Sequence, residues 1–299
     1  MAMLDTPLES APRLEATGAV ARRQRVSRLS RYVLLAASLV GVAALIWLGW
    51  ETIKEGWSRL SIDFLLNYPS RFPEKAGLRS SIIGSVWVLA GTVVLAIPVA
   101  VGTAVFIEEF APKNAFTSLV KLNISNLAAV PSIIYGILGL TLFVRYFDLG
   151  PTIAAGALTL ALMILPMTVI ASQEAIKQVP PSIRQGSLAL GASQWQTVWH
   201  HVLPGSVPGI MTGVILAVSR AVGETAALIM IGAFTFIAFD NRSFFDEFTT
   251  VPVQIYNWTI RPQEAFRQNA AAAIIVLMAA VLTLNLVAAL IRERFRNTY

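Results

Sequence analysis

Six stretches of this chain are each long and apolar enough to cross a lipid bilayer, and they restrict its fold more than any motif does. Residues 32–50 run for 19 positions without a charge, and similar stretches follow at about 81–107, 122–144, 151–171, 208–238 and 269–291. A helix rising about 1.5 Å per residue needs roughly 20 apolar residues to span a hydrocarbon core about 30 Å thick. Composition agrees: 56% of the residues are hydrophobic and 13% charged, with a mean hydropathy of +0.66. Ordinary soluble domains are less apolar and carry more charge. The expected fold class is an all-α integral membrane protein with six transmembrane helices. The second stretch holds Pro98, the third Pro131 and the fourth Pro166.

A net charge of +6 invites a nucleic-acid reading, but the position of the charge argues otherwise. Arg13, Arg22, Arg23, Arg25, Arg28 and Arg31 all precede the first span, where basic residues set membrane orientation. Membrane lipid, and no nucleic acid, is the expected surrounding partner. Six spans place both termini on one side. That side then carries 13 basic and 7 acidic residues, the other 9 of each, and the fifth span holds one Arg and one Glu. Both termini are therefore expected to be cytoplasmic. Residues 1–31 read as a polar, disordered cytoplasmic tail. Residues 32–50 read as an uncleaved first helix, because LIWLGWETIKEGW offers no small-residue cleavage site. Residues 77–291 form the main transmembrane domain and 292–299 a short cytoplasmic tail. The absence of cysteine excludes disulfides and thiolate metal sites. No repeat of 20–50 residues and no second soluble domain is visible.

Between the fourth and fifth spans lies the longest stretch of mixed polarity in this apolar region, QGSLALGASQWQTVWHHVLP, residues 185–204. It reads as two short helices. Pro180 and Pro181 end the preceding helix and suit a new start. Ser182 with Gln185, and Ser193 with Gln196, have the spacing of capping boxes. Gly191 supplies a stop, and Pro204 is expected to close the second helix. There Trp195, Val198, Trp199, Val202 and Leu203 share one apolar face, as in a helix lying in a membrane interface. On pattern alone an amphipathic connector with no partner explains this stretch equally well.

The run GASQWQTVWHHVLP resembles the cytoplasmic loop of binding-protein-dependent ABC importer permeases. The resemblance implies that residues 181–204 couple to an ATPase subunit, with Ser182, Gln185, Gly186, Ser187, Gly191 and Ala192 in the coupling segment. The family pattern opens Glu-Ala-Ala with a glycine six residues after the Glu. Here those positions read Gln185, Gly186, Ser187 and Gly191, so the acidic residue is absent.

The fifth span carries Arg220 and Glu224 in SRAVGETAAL. Four residues apart on a continuous helix, they would share a face. An ionised residue at mid-bilayer costs about 2.5–3.5 kcal/mol on insertion scales and normally faces protein or a wet cavity. Two readings stay open: a self-neutralising pair tying helices together, or a guanidinium fork for a tetrahedral oxyanion with Glu224 holding it meanwhile. Together with AVPSIIYGILGL and AVFIEEF, this motif is similar to the phosphate-specific branch of those permeases, most closely its PstA-type subunit.

That similarity implies a type I ABC importer permease fold, with a five-helix core, one outer helix and a coupling helix, in the bacterial cytoplasmic (inner) membrane. It implies a homologous PstC-type permease, two ATP-binding ATPase subunits and a periplasmic phosphate-binding protein as partners. The chain itself would be non-catalytic and hold no cofactor, with ATP and Mg bound by the ATPases. It contains no G-x-x-x-x-G-K-[ST] stretch of its own. Sulfate, molybdate or phosphonate are alternative cargoes, and an ion-coupled transporter or a membrane enzyme are alternative classes. Glu108 and Glu109 read as a helix boundary. Gly205, Gly209 and Gly213 form a small-residue ridge facing either the partner permease or this chain. Adjacent His200 and His201 point about 100° apart on a helix and cannot share a metal. Asn123, Asn126, Ser132, Ser219 and Asn285 could bond between helices or line a path.

Overall fold

The computed structural model describes residues 18–233 and 236–296. Among them the only strand-like pairing is one isolated bridge between Thr152 and Glu247. Two compact units divide the chain, Met1–Glu51 and Thr52–Tyr299. Residues 18–51 of helix α1 (Gly18–Gly56) make up the described part of the first unit. Residues 18–31 are thus helical where the sequence predicts disorder. Extending a helix is far cheaper than nucleating one, so the apolar run carries the Arg-rich segment with it. Residues 1–17, Arg13 among them, lie outside the described residues.

In the second unit, α2 (Ile62–Leu66) is N-capped by Ser61, whose Oγ accepts from Phe64 N at 3.1 Å. α3 (Arg79–Val105) passes Pro98 and ends in a wide π-turn, Phe106–Phe110. α4 (Ala115–Ala128) is followed by α5 (Ser132–Gly139), which continues through the wide turn Leu140–Tyr146. Next come α6 (Ile153–Lys177), α7 (Pro181–Ala189), α8 (Gln194–Thr197) and α9 (Leu203–Val222). The chain ends with α10 (Ala226–Met230), α11 (Val251–Thr259) and α12 (Glu264–Arg296).

Among the described residues five helical stretches meet the length and hydropathy of a span: Arg22–Arg59, Arg79–Phe110, Ile153–Lys177, Gln194–Val222 and Glu264–Arg294. The expected third span is instead the pair Ala115–Ala128 and Ser132–Tyr146, bent by 99°. Pro131 explains the bend, since it has no N–H to donate and drives the preceding residue out of helical geometry. The Tyr135 hydroxyl braces the corner by donating to the Leu127 carbonyl at 2.8 Å. The expected fifth span is shorter than its apolar run: α9 stops at Val222, and residues 236–238 are not helical.

Helix α6 is the centre of this unit, with 67% of its spanning window buried against 28% for α3. Neighbours reach it where side chains are missing. A Cβ on Gly139 of α5 would lie 2.1 Å from Thr159 Oγ1, and on Gly209 or Gly213 of α9 it would lie 2.6 or 2.3 Å from the Cβ of Ala175 or Ala171. The glycine ridge therefore faces this chain's own α6. The start of α6 is closed by the segment 236–250, where Ile153 N donates to Asp246 O (3.1 Å) and Ala154 N to Phe244 O (2.8 Å). Those are orphan donors of a first helical turn, satisfied here by backbone carbonyls. Phe248 of the same segment is fully buried in the core with Val88, Leu160, Ile164 and Leu228.

Arg79 fastens this segment to α3, its Nε donating to Asp240 Oδ1 at 2.8 Å and its Nη2 to Oδ2 at 2.5 Å. These bonds from Arg79 hold the Asp240 carboxyl below the usual carboxylate range. A lowered folded-state value means that the stability the pair contributes is present above the ordinary aspartate pKa. It is lost as pH falls through the lowered value.

Substituting Gly213→Ala should destabilise the protein by about 1–3 kcal/mol, the usual cost of overpacking. A lowered thermal midpoint in detergent, largely restored by adding Ala171→Gly, is the expected result. An unchanged midpoint for Gly213→Ala alone would contradict the α6–α9 contact.

Candidate functional site

Two places gather the sequence-predicted residues: the loop around Gly191 and the helix break at Gly223. In the loop, Pro180 is extended (φ −57°, ψ 138°) and Pro181 sits at the first helical position. Helix α7 consequently starts at Pro181, Ser182 is already inside it, and no side chain caps its start. The expected Ser182–Gln185 capping box is absent, because a residue before proline is held extended and the helix begins too early. The second box is present: Ser193 N donates to Gln196 Oε1 at 2.8 Å and Gln196 N to Ser193 Oγ at 3.2 Å. Gly191 turns the chain at φ +85°, a conformation that favours glycine.

Ser182, Gln185, Gly186 and Gly191 are exposed, Ala192 is half-buried, and Ser187 is buried. Ser187 Oγ lies 2.9 Å from Thr197 Oγ1 and so fastens α7 to α8. Apolar side chains stand outward around them. Leu190 is 90% exposed, and Ile183 and Leu188 are also exposed. Open space surrounds the Gly186 Cα. This is a surface of small and apolar groups.

The second helix does not stop at Pro204. Gln194–Val222 is one continuous helix with a π-turn at Val198–Val202. A proline ring clashes with the carbonyl four residues back in a regular α-helix, and the wider turn relieves that clash. The expected apolar face also divides. Val198 and Val202 are buried, whereas Trp195 and Trp199 stay exposed and stack at 5.9 Å, 16° from parallel. The segment is the first part of a spanning helix and not a separate interfacial one.

Sequence reasoning missed the residues at the root of this loop. Arg184 Nη2 lies 2.7 Å from Glu109 Oε1, and Lys121 Nζ lies 2.8 Å from Glu108 Oε1. The two acids close the end of α3 and also tie it to α7 and α4. A lone base in a polar loop and two acids at a helix end were the available signals.

At the second place, Arg220 sits in the last turn of α9, Gly223 ends that helix, and Glu224 lies beyond the break. The two residues are therefore not on one helix face, and no ion pair joins them among the described residues. Glu224 Oε1 instead accepts from Ala227 N at 3.2 Å, inside the first turn of α10. The exposed Arg220 places Nη1 4.0 Å from Sδ of Met167, one residue past the proline of α6, and lies within electrostatic reach of the Tyr135 hydroxyl. Guanidinium donors free of a carboxylate can bind an oxyanion.

Polar residues with open roles are placed as well. Ser219 Oγ donates to Asn285 Oδ1 at 2.5 Å, linking α9 to α12, and Arg292 Nη1 reaches Thr212 Oγ1 at 3.3 Å. Asn123 Nδ2 donates to Leu119 O within its own helix (2.9 Å), and His200 Nδ1 lies 2.9 Å from Gln196 O.

Comparison with known proteins bears on the family and the fold. Residues 96–297 match the family model described as binding-protein-dependent transport system inner membrane component, and the chain belongs to that family. It is 34% identical over 272 residues to the probable ABC transporter permease protein YqgI of Bacillus subtilis, covering 85% of this chain and 89% of the relative. It is 30% identical over 276 residues to the phosphate transport system permease protein PstA 1 of Mycobacterium tuberculosis, covering 91% and 90%. A bacterial alginate ABC transporter, solved with a periplasmic protein bound to an alginate pentasaccharide, is similar in fold. The TM-score is 0.62 at 14% identity, over 94% of this chain and 98% of that one. The chain is an ABC importer permease subunit, a multi-pass membrane protein with the type I fold.

Replacing Glu224 separates a cap from a charge partner. Glu224→Ala should cost about 1 kcal/mol, the usual loss of a capping acceptor, whereas Glu224→Gln keeps an oxygen and should leave the unfolding midpoint unchanged. Equal losses in both variants would show that charge, not capping, holds α10.

Proposed function

We propose that this chain is the PstA-type permease subunit of an ATP-driven inorganic phosphate importer. The observation that carries this reading is Arg220, exposed at the break between α9 and α10 with no carboxylate paired to it among the described residues. Similarity to phosphate transport permeases over most of the chain supports the choice of anion. In this reading Arg220 contacts phosphate during passage through a bidentate fork, weakly enough for release. Glu224 shapes the path by accepting from Ala227 N in the first turn of α10.

The remaining assignments follow from the same reading. A homologous PstC-type permease completes the path, and a periplasmic phosphate-binding protein delivers the anion. Of two ATPase subunits, which bind ATP and Mg, one docks on Pro181–Pro204 of this chain through Gln185, Gly186 and the outward Leu190. Their closure shifts the permease between inward-open and outward-open states, a two-state equilibrium biased by ATP. Both termini and the docking loop are cytoplasmic in the inner membrane, as the distribution of basic residues favours. The chain performs no bond chemistry itself.

Arg220→Gln should abolish uptake of labelled phosphate, at least about a tenfold loss, while the complex still assembles, since losing one charge-assisted contact costs about 1.5–3 kcal/mol. Normal uptake would sink the anion contact. Gly191→Pro cannot adopt φ +85° and should sharply lower phosphate transported per ATP. An unchanged ratio would refute docking at this loop.

A further inference from the structure

Arg184 carries more contacts than a loop residue needs. Nε donates to Glu109 Oε1 at 3.1 Å and to Oε2 at 3.3 Å, while Nη2 donates to Oε1 at 2.7 Å. The same guanidinium donates from Nη1 to Val179 O at 2.6 Å and from Nη2 to Ile176 O at 2.9 Å. One planar group therefore joins three elements: the wide turn ending α3, the carbonyl end of α6, and α7. The two carbonyls lie at the end of α6, where an arginine is suited to satisfy acceptors: Ile176 O, inside the last turn, also accepts from Val179 N at 3.2 Å, and Val179 lies just beyond the helix. The side chains are only 23% and 9% exposed, so solvent screening is reduced. The Gln194 side-chain amide adds a bond to the Glu109 carbonyl, bringing α8 to the same node.

We propose that Arg184 and Glu109 are positioning residues for energy coupling, forming the strut that carries a displacement of α7 into α3 and α6. This rests on the reading of Pro181–Pro204 as the ATPase-docking loop. At the exposed end of that loop Gly191 turns the chain, its N–H donating to Leu188 O at 3.0 Å, and a Cβ there would meet nothing within 4 Å. A push on Ile183 or Leu188 travels along α7 to the buried fork, beside the Ser187–Thr197 contact that joins α7 to α8. From there it reaches two helices at once. Loss of the fork would leave the loop able to engage an ATPase while its movement dissipates before reaching the spans.

The test uses the full importer in proteoliposomes, with phosphate uptake and ATP hydrolysis measured per assembled complex. Arg184→Ala and Glu109→Gln should retain ATPase subunits and hydrolysis, yet transport per ATP should fall at least about fivefold, the lower end of ordinary coupling between sites. Exchanging the charges, Arg184→Glu with Glu109→Arg, should recover part of that ratio. A purely structural staple would lower the amount of complex and leave the ratio alone. If Arg184→Ala does not assemble, Glu109→Gln, which keeps the size of the side chain, decides. A wild-type ratio in Glu109→Gln overturns the proposal. Failure of the phosphate or docking assignment shows separately: the unmodified complex would not take up phosphate, or Gly191→Pro would transport normally.

Discussion

Close backbone contact on α6 is the constraint on which the rest of the second unit depends. In lipid no water-driven force pushes apolar helices together, so association relies on packing at short range and on hydrogen bonds between helices. Helix α6 supplies Thr159, Ala171 and Ala175 as the surfaces on which Gly139, Gly213 and Gly209 of neighbouring helices rest. The same helix touches both functional regions. Met167 lies beside Arg220, and the carbonyl of Ile176 is held by Arg184. At about 1.5 Å per residue these two positions are roughly 14 Å apart along one helix. A rigid element of that length physically links the proposed anion contact to the proposed docking loop.

How much of this could be read from the sequence depends on whether the determining interaction is local. Apolar runs are local, and they marked the spans. The Ser193–Gln196 box and the turn at Gly191 depend on residues within a few positions, and both are present. The Ser182–Gln185 box failed for a local reason given too little weight, since the Pro180–Pro181 pair dictates where α7 begins. Averaged hydropathy does not register a broken helix, because the apolar runs on either side of Gly223–Thr225 and of Pro131 blur across the break. The corner at Pro131 and the stop at Gly223 therefore read as continuous spans.

Contacts between distant residues were invisible for a different reason. Arg184 and Glu109 are 75 positions apart, and nothing in either segment names the other. The acids of IEEF looked like a boundary because a boundary is what they also are. For Arg220 and Glu224, i,i+4 spacing suggested a pair only if the helix continued. Once it breaks at Gly223, the carboxylate serves the first turn of α10 and leaves the guanidinium available. That separation favours the anion-contact reading over the self-neutralising one.

The central claim is that this chain works only as part of an ATP-driven assembly. Its most direct test is purification of the tagged chain from its own host in mild detergent, with mass spectrometry of the proteins retained. A P-loop ATPase and a second six-span permease should be retained in stable proportion to the chain. Recovery of the chain alone, folded and stable, would contradict the claim and reduce Pro181–Pro204 to a connector.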